Sequence, residues 1–311
     1  MNNNKNVAVG IASACAILAG IFWGSEGTFV RFLMDYGLDN VSIIGTRLSL
    51  ASLIILVMIL VYDRSLLRIS AKDILILVLT GLAGSVGLNY CYNEAIDRMT
   101  LSLAAVLLDL CPVYMILIAY FAFGEKITRR KILCLGMAIA GVILLSGLGT
   151  DKPVWTGLGV FFGLVSGFCY AAYGLLSKEA ANRGCRPLTL NFYPILTAAV
   201  ATAPFTDWQK AGEVIVQHGV KACIILVLNA LCCAILPYIM FAYALTKMDA
   251  GRAGILAIGE PAAAMVLGII FFREIPTGLM VLGMAMIIAA LAVLNLPERA
   301  PLSRRSRRDE V

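Results

Sequence analysis

The sequence predicts an all-α integral membrane protein of ten transmembrane helices, built as two inverted five-helix repeats. Three observations support this fold class: the composition, the length of the apolar runs and an internal repeat. Hydrophobic residues make up 60% of the 311 residues and charged residues only 14%, whereas a soluble domain is about one quarter charged. Most of the chain is therefore expected to contact lipid, and the lipid bilayer is an expected partner of the protein.

Ten apolar runs reach the length of about 20 residues that a helix needs to cross a bilayer. Short connections make consecutive helices antiparallel. The first run is long for a signal-peptide core and lacks a clear small-x-small cleavage site, so it is predicted to be a spanning helix. The approximate bounds of the ten runs are 7–30, 41–62, 74–96, 101–123, 130–149, 155–177, 187–205, 219–245, 251–272 and 277–296.

The basic residues are divided unevenly between the two sides of the predicted membrane segment. Of the 25 Lys and Arg residues, 18 lie on the side of the N-terminus, six lie on the other side, and Arg47 lies within a span. The positive-inside rule then predicts a multi-pass protein of the cell (inner or plasma) membrane with both termini in the cytoplasm. Because the positive charge is spread over short loops and a tail, it does not indicate nucleic-acid binding.

An internal repeat relates the first half of the chain to the second. At an offset of 147 residues, Gly20 aligns with Gly167 and Arg31 with Lys178. At an offset of 149, Ala95, Met99, Pro112 and Glu125 align with Ala244, Met248, Pro261 and Glu274. The predicted domains are two five-helix repeats, 1–149 and 150–298, and a basic cytoplasmic tail, 299–311. An odd number of helices per repeat inverts the second repeat, an arrangement typical of transporters with a site near the midplane.

Several short motifs resemble one known family. They include Gly20 to Arg31 with its Trp-Gly-Ser signature, Arg47 in the second run, Pro112 in the fourth, Gly124-Glu125 after it, and Glu260-Pro261 in the ninth. In this order they resemble the drug/metabolite transporter superfamily, specifically its EamA-like ten-helix branch, over roughly residues 8 to 297. The resemblance implies a secondary transporter of metabolites, amino acids or drugs, often an exporter, and it implies no single substrate.

Charged side chains inside the predicted spans are the first candidates for a solute site, because a charge at membrane depth is costly unless it is paired, protonated or facing water. One interpretation is that Arg47 forms a structural ion pair with one carboxylate. The other is that the remaining carboxylates line a cavity for a cation, an amino group or a proton. A carboxylate before a proline has a third option, which is to satisfy backbone donors at the kink. The acids are Glu26, Glu94, Asp109 and Glu260.

Polar and aromatic residues of the third run are the second group of candidates. Asn89, Tyr90 and Asn93 lie there, and Tyr238 lies in the repeat counterpart of that run. Such groups hydrogen-bond a polar solute or pack on an organic cation. At the helix ends, Arg31 and Lys178 are expected to snorkel toward the interface, whereas Glu125 and Glu274 are expected to cap or hydrogen-bond rather than to take part in transport.

Other functions receive less support from the sequence. No good Walker phosphate loop is present, so ATP-driven pumping by this chain is not expected. His218 is the single histidine and the cysteines show no metal-ligand spacing, which makes a membrane-embedded enzyme a weaker hypothesis. A receptor or scaffold on a transporter-like fold remains an alternative.

The sequence thus predicts a secondary transporter that is not an enzyme and that uses no cofactor or metal. Its solute is expected to be small and cationic or zwitterionic, because three acids face one base in the first repeat. Proton coupling is left open. A monomer is expected to be sufficient, and a dimer is not excluded.

Overall fold

The computed structural model describes residues 2–123, 128–146, 155–248 and 250–295. Within these ranges the chain is helical, and its only extended pairing is an isolated bridge between Met99 and Trp155. The ten main helical segments are numbered here in chain order. They are α1 (Asn2–Gly24 and Glu26–Asp35), α2 (Asn40–Tyr62), α3 (Ala71–Leu79, Thr80–Leu88 and Asn89–Arg98), α4 (Leu101–Leu108 and Cys111–Phe123), α5 (Arg129–Leu145), α6 (Gly157–Asn182), α7 (Pro187–Thr202), α8 (Val220–Ala230, Leu231–Ile235 and Leu236–Leu245), α9 (Ala250–Ala257 and Glu260–Phe272) and α10 (Gly278–Asn295).

Short polar residues start several of these helices. The Asp39 side chain accepts hydrogen bonds from the first amides of α2, Thr100 does so for α4, and Thr156 does so for α6. Such caps satisfy amides that have no partner within the helix. Two shorter helices, Arg64–Leu67 and Trp208–His218, connect α2 to α3 and α7 to α8.

Eight of the ten segments contain helices long and apolar enough to cross a membrane, namely α1 to α4 and α6 to α9. The other two, α5 and α10, are helices of 17 and 18 residues. At 1.5 Å per residue they measure about 25–27 Å, slightly less than a hydrocarbon layer of about 30 Å. The all-α membrane fold is therefore confirmed, whereas ten crossings are not, and α5 and α10 stand only as helices. The predicted tail 299–311 and Glu125 lie outside the described residues.

The fourth helix of each half is interrupted just before a proline. The first part of α4 ends at Leu108, four residues before Pro112, and the first part of α9 ends at Ala257, four residues before Pro261. Proline has no amide hydrogen, and its ring clashes with the carbonyl four residues earlier, so the helix opens there. The two breaks are related by the 149-residue offset of the sequence repeat. Such discontinuous helices are typical of transporter binding sites.

The third helix of each half contains a π-helical stretch. It covers Thr80–Leu88 in α3 and Leu231–Ile235 in α8, and the 149-residue offset places the second stretch inside the first. π-Helical turns widen the helix and often mark functional positions. In α8 the stretch is followed by Pro237.

The most extensive helix contacts join the two halves. α5 packs on α10, α2 on α7, α1 on α8 and α9, and α6 on α3 and α4. Under the repeat, the contacts of α1 with α8 and α9 correspond to those of α6 with α3 and α4. This pattern is the one that two related halves would produce, and it supports the predicted duplication.

Glycines let the first helix of each half approach the break in the other half. A β-carbon at Gly20 in α1 would lie 2.4 Å from the carbonyl oxygen of Ala257. A β-carbon at Gly167 in α6, the repeat counterpart, would lie 2.7 Å from the carbonyl oxygen of Leu107. Close backbone approach of this kind is a main source of helix packing inside lipid.

Replacing Gly20 with alanine is expected to destabilise the bundle, because the backbone of α9 cannot move aside as a flexible side chain would. We expect a loss of about 1–3 kcal/mol, the usual cost of overpacking, measured as a lower midpoint of thermal unfolding in detergent. Gly10→Ala in the same helix is the matched control, since a β-carbon there has no neighbour within 4 Å. Equal midpoints for the two variants would contradict this contact.

The bundle has two ends, named here by one residue on each. The Arg31 end holds the last turns of α1, α3 and α9. The Lys178 end holds the last turns of α2, α6 and α8. At the Lys178 end, Arg186 pairs with Asp63 across the halves at 2.8 Å. Hydrogen bonds from Ser65, with a smaller contribution from Arg186, hold the pKa of Asp63 below its ordinary value.

Candidate functional site

A cavity of about 60 Å³ lies inside the bundle, bordered by helices of both halves. A single water needs about 10–15 Å³ of such space, so the cavity has room for a few waters in this conformation. Its walls combine aromatic, amide and charged side chains. They are Trp23, Glu26, Arg47, Leu48, Gly84, Ser85, Leu88, Asn89, Leu108, Tyr170, Tyr173, Asn191, Ile195, Cys233, Ala234, Tyr238 and Glu260.

The two halves contribute matched positions to this cavity. The repeat offsets of 147 and 149 residues relate lining residues to one another in six pairs. The pairs are Trp23 with Tyr170, Glu26 with Tyr173, Leu48 with Ile195, Gly84 with Cys233, Ser85 with Ala234, and Asn89 with Tyr238. The chemistry within the pairs is unequal, because the acid, the amide and the aliphatic hydroxyl all belong to the first half.

Arg47 of α2 joins two other helices in the wall of the cavity. Its Nη1 donates to Oε1 of Glu26 at 2.5 Å, and its Nη2 donates to the side-chain oxygen of Asn89. The Arg47 residue is 1% exposed, and its Nε has no hydrogen-bond partner among the described residues. The structural ion pair considered from the sequence is therefore present, with Glu26 as the carboxylate, and one guanidinium donor is left unsatisfied.

Glu260 begins the second part of α9 and also lines the cavity. It is 7% exposed, and within the described ranges its carboxylate has neither an ion pair nor a hydrogen bond, to side chains or to the backbone amides at the kink. It lies within electrostatic range of Asp109 and Glu26. Asp109 occupies the break in α4, next to the lining residue Leu108. Arg47 pairs with Glu26, so Glu260 is the carboxyl group of the cavity wall that has no basic partner among the described residues.

Aromatic rings form much of the remaining wall. Trp23 meets Tyr238 edge-on at a centroid distance of 5.4 Å and Phe241 at 5.6 Å. Tyr170 and Tyr173 line the same space. Aromatic faces attract ammonium and guanidinium groups, especially away from water. Together with the free carboxylate, the wall is suited to a solute that carries a positive charge.

A second cavity of about 310 Å³ adjoins the first and leads to the Lys178 end. The two share five lining residues, and the second continues past Ser177, Pro187 and Leu245. Toward the Arg31 end, by contrast, the main hydrophobic core fills the bundle with buried residues such as Val30 and Ile96. The central cavity is therefore reached from the Lys178 end.

Four of the predicted site residues do not line the cavity: Asp109, which lies beside it in the break of α4, and Glu94, Tyr90 and Asn93. Glu94 bonds to Arg98 at 2.5 Å and accepts a hydrogen bond from Asn40 at 2.8 Å. Tyr90 is 38% exposed and packs near Phe162. Asn93 is fully buried, and neither its side-chain oxygen nor its nitrogen has a partner in the part of the chain that is described. The cavity wall does bring together the other five predicted residues, which are Glu26, Arg47, Asn89, Tyr238 and Glu260.

Sequence reasoning missed several residues of the site. Trp23 and Tyr170 are related by the 147-residue offset, but neither is among the solute-binding candidates predicted from the sequence. Asn191 of α7 lines the cavity, and Tyr92 is buried within electrostatic range of Glu260, Glu26 and Asp109. The repeat alignment held a usable signal, because positions that align across the halves lie together around the cavity.

Comparison with known proteins identifies the family of this chain. The model of the EamA-like transporter family matches twice, at residues 10–147 and 157–296. The chain belongs to the EamA-like transporter family. It is thus a multi-pass membrane protein of a family of transporters rather than of enzymes, as the resemblance of its motifs indicated. No cluster of three potential metal ligands occurs in the described ranges of this EamA-like protein.

Named relatives of this EamA-like protein are transporters. It is 28% identical over 285 residues to an "uncharacterized transporter" of Archaeoglobus fulgidus, covering 90% of this chain and 94% of that protein. It is 29% identical to the threonine/homoserine exporter RhtA of Salmonella typhimurium, covering 78% of each chain. It is 24% identical to a "probable terminal-alkyne amino-acid exporter" of Streptantibioticus cattleyicolor, covering 93% of this chain and 94% of that protein.

A solved structure supports the fold. A solved structure described as "Crystal structure of protein" superposes on this chain with a TM-score of 0.63 at 15% sequence identity. The match covers 91% of this chain and 95% of the solved chain. At this level of identity the likeness concerns the fold alone.

Proposed function

We propose that this protein is a secondary transporter that carries an amino acid or a related small cationic or zwitterionic solute by alternating access between two inverted five-helix halves. The observation that carries the proposal is the cavity lined at matched positions by both halves, with one carboxyl group that has no basic partner among the described residues. Inverted repeats of this kind place their sites at the repeat interface. The amino-acid exporters among the relatives support the solute class.

The charges of the cavity favour a solute with an amino group. The Glu26–Arg47 pair is internally neutral, so Glu260 is left to bind a positive group. A charged hydrogen bond in a buried site is stronger than a neutral one. The unsatisfied Nε of Arg47 would then face the carboxylate of a zwitterion, and the aromatic rings would pack against its carbon atoms.

The direction of access follows from the predicted orientation. With both termini in the cytoplasm, the Lys178 end faces the cytoplasm, and the cavity in this conformation opens inward. An inward-open cavity suits loading of a solute for export. The residues that line the described cavity belong to one chain, which supports a monomer as the transporting unit.

A binding screen tests the solute class. Purified protein would be heated with amino acids, polyamines, nucleosides and organic cations, each over a range of concentrations. A ligand of the folded state raises the unfolding midpoint with its concentration relative to its Kd. We expect amino acids or organic cations to raise it and nucleosides to leave it unchanged. A shift with nucleosides alone would overturn the solute class.

Asp109→Asn is expected to uncouple flux from a pH gradient. Two carboxylates in one buried site repel each other when both are ionised, so the Asp109–Glu260 pair is suited to carry one proton. In proteoliposomes, the variant should keep solute exchange at equal pH but lose accumulation driven by a pH gradient. Glu213→Gln, in the connecting helix Trp208–His218, serves as the control. Accumulation by Asp109→Asn at the wild-type rate would contradict this role.

A further inference from the structure

Arg31 makes a set of contacts at its end of the bundle that the sequence did not predict. Its Nη1 lies 2.5 Å from Oε1 of Glu274, its Nη2 donates to the carbonyl of Met99 at 2.5 Å, and its Nε donates to the carbonyl of Ile96 at 3.3 Å. The guanidinium also lies over the ring of Phe272 at 5.0 Å. The expectation that Arg31 snorkels to the interface is wrong, because its donors are used within the protein.

Glu274 completes the connection from the other half of the chain. Its two carboxylate oxygens accept from the amide of Leu101 at 3.1 and 3.2 Å, so it caps the start of α4 while it pairs with Arg31. This confirms the expectation that Glu274 hydrogen-bonds at a loop boundary. One carboxylate from the α9–α10 loop thus holds α1 and α4 of the first half.

The loop that carries Glu274 is shaped to present this carboxylate. Arg273 adopts a left-handed conformation with φ of 54°, which is rare for a residue with a side chain. The amide of Glu274 then bonds back to the carbonyl of Gly268 at 3.1 Å. A β-carbon at Gly268 would lie 2.4 Å from Oε2 of Glu274, so a larger residue there would displace the carboxylate from its position over α9.

The Lys178 end differs from the Arg31 end in how exposed its charged side chains are. Lys178, the repeat counterpart of Arg31, is exposed and forms no ion pair with a described residue. One inter-half pair at that end, Asp63 with Arg186, has side chains that are 36% and 61% exposed. The side chains of Arg31 and Glu274 are only 19% and 15% exposed. The Arg31 end, which holds this buried pair, is closed, whereas the entrance to the cavity lies at the Lys178 end.

We propose that the Arg31–Glu274 pair, with Leu101, is the clamp that closes the Arg31 end and must open for solute to leave there. The proposal rests on the proposed transport function, since a scaffold would need no such release. The two residues act on transport through the position of the helices and do not contact the solute. Breaking the clamp should shift the protein toward a conformation in which the central cavity is open at the Arg31 end.

Native cysteines provide reporters for the test. Cys233 lines the central cavity, Cys223 is exposed near the start of α8 at the Arg31 end, and Cys185 precedes α7 at the Lys178 end. Intact cells would be treated with a small, positively charged, membrane-impermeant methanethiosulfonate. Modification of each cysteine would be measured by peptide mass spectrometry, in the wild type and in Arg31→Gln, Arg31→Lys and Glu274→Gln. Reaction of Cys223 but not Cys185 would verify that the reagent acts from the Arg31 end.

In the wild type, Cys233 should react slowly from this side. In Arg31→Gln and Glu274→Gln, we expect its rate to rise by about tenfold or more, because loss of a charged hydrogen bond shifts a two-state equilibrium by about that factor. Arg31→Lys retains the ion pair but not the contacts to both carbonyls, so it should show an intermediate rate.

Arg98→Gln is the matched control for Arg31→Gln. Arg98 lies at the same end and pairs with Glu94 at 2.5 Å, but both residues belong to α3. Its variant should leave the Cys233 rate at the wild-type value. An unchanged Cys233 rate in folded Arg31→Gln and Glu274→Gln would overturn the clamp, and so would an equal rise in Arg98→Gln. Because labelling requires no substrate, this result is independent of whether the proposed solute is carried.

Discussion

Replacing Glu260 with glutamine is expected to reduce the affinity for an amino-group solute by at least about thirtyfold. Removing one partner of a buried charged pair costs about 2–5 kcal/mol, which corresponds to this factor or more. Glu260 is the carboxyl group of the cavity wall without an ion pair among the described residues, so it is the one available to a solute amino group. The measurement is the concentration dependence of the thermal shift with the best ligand of the screen.

The control for this variant is Glu179→Gln on the surface of α6. Glu179 is 50% exposed at its side chain and pairs with Arg183 one helical turn away, so the same chemical change is made at a residue that lines neither cavity. Affinity should be retained in Glu179→Gln and lost in Glu260→Gln. If both variants bind as tightly as the wild type, Glu260 does not hold the solute.

Replacing Arg47 with methionine is expected to cause the largest loss of stability. The change leaves Glu26 buried without its partner, and breaking a buried ion pair in this way costs about 3–5 kcal/mol. A lower midpoint of thermal unfolding in detergent would show this loss of stability. The double variant Arg47→Met, Glu26→Gln removes the stranded charge and should recover most of the lost stability.

The double variant also separates the two interpretations of Arg47. If the pair only holds the bundle together, the double variant should transport once it folds. If Arg47 faces the solute carboxylate, as proposed here, the double variant should fold but lose transport of zwitterions. Wild-type transport by the folded double variant would therefore contradict a direct role of Arg47.

Much of the fold was predictable because bilayer physics acts on local sequence. Helix length, loop charge and the positions of Pro112 and Pro261 can be read without tertiary structure, and the two prolines indeed mark the breaks in α4 and α9. The pairing of Arg47 with an acid was also foreseen as an alternative. These features depend on residues close in sequence or on the cost of a charge in lipid.

The partners of each charge could not be predicted, because they depend on how helices distant in sequence pack. Glu26, Glu94 and Asp109 look alike in the sequence, yet Glu26 pairs with Arg47, Glu94 pairs within α3, and Asp109 lies in a helix break. The clamp at Arg31 was missed for the same reason, since its carboxylate comes from the other half of the chain. The positions of side chains around each helix axis decide these outcomes.

The central claim is that a small solute binds in the cavity between the halves and crosses the membrane there. Counterflow tests it most directly: proteoliposomes loaded with an unlabelled amino acid identified by the screen are diluted into a trace of the labelled compound. We predict transient accumulation of unmodified label with wild-type protein, and none with Glu260→Gln or with empty liposomes. Equal uptake by wild type, Glu260→Gln and empty liposomes would contradict the account.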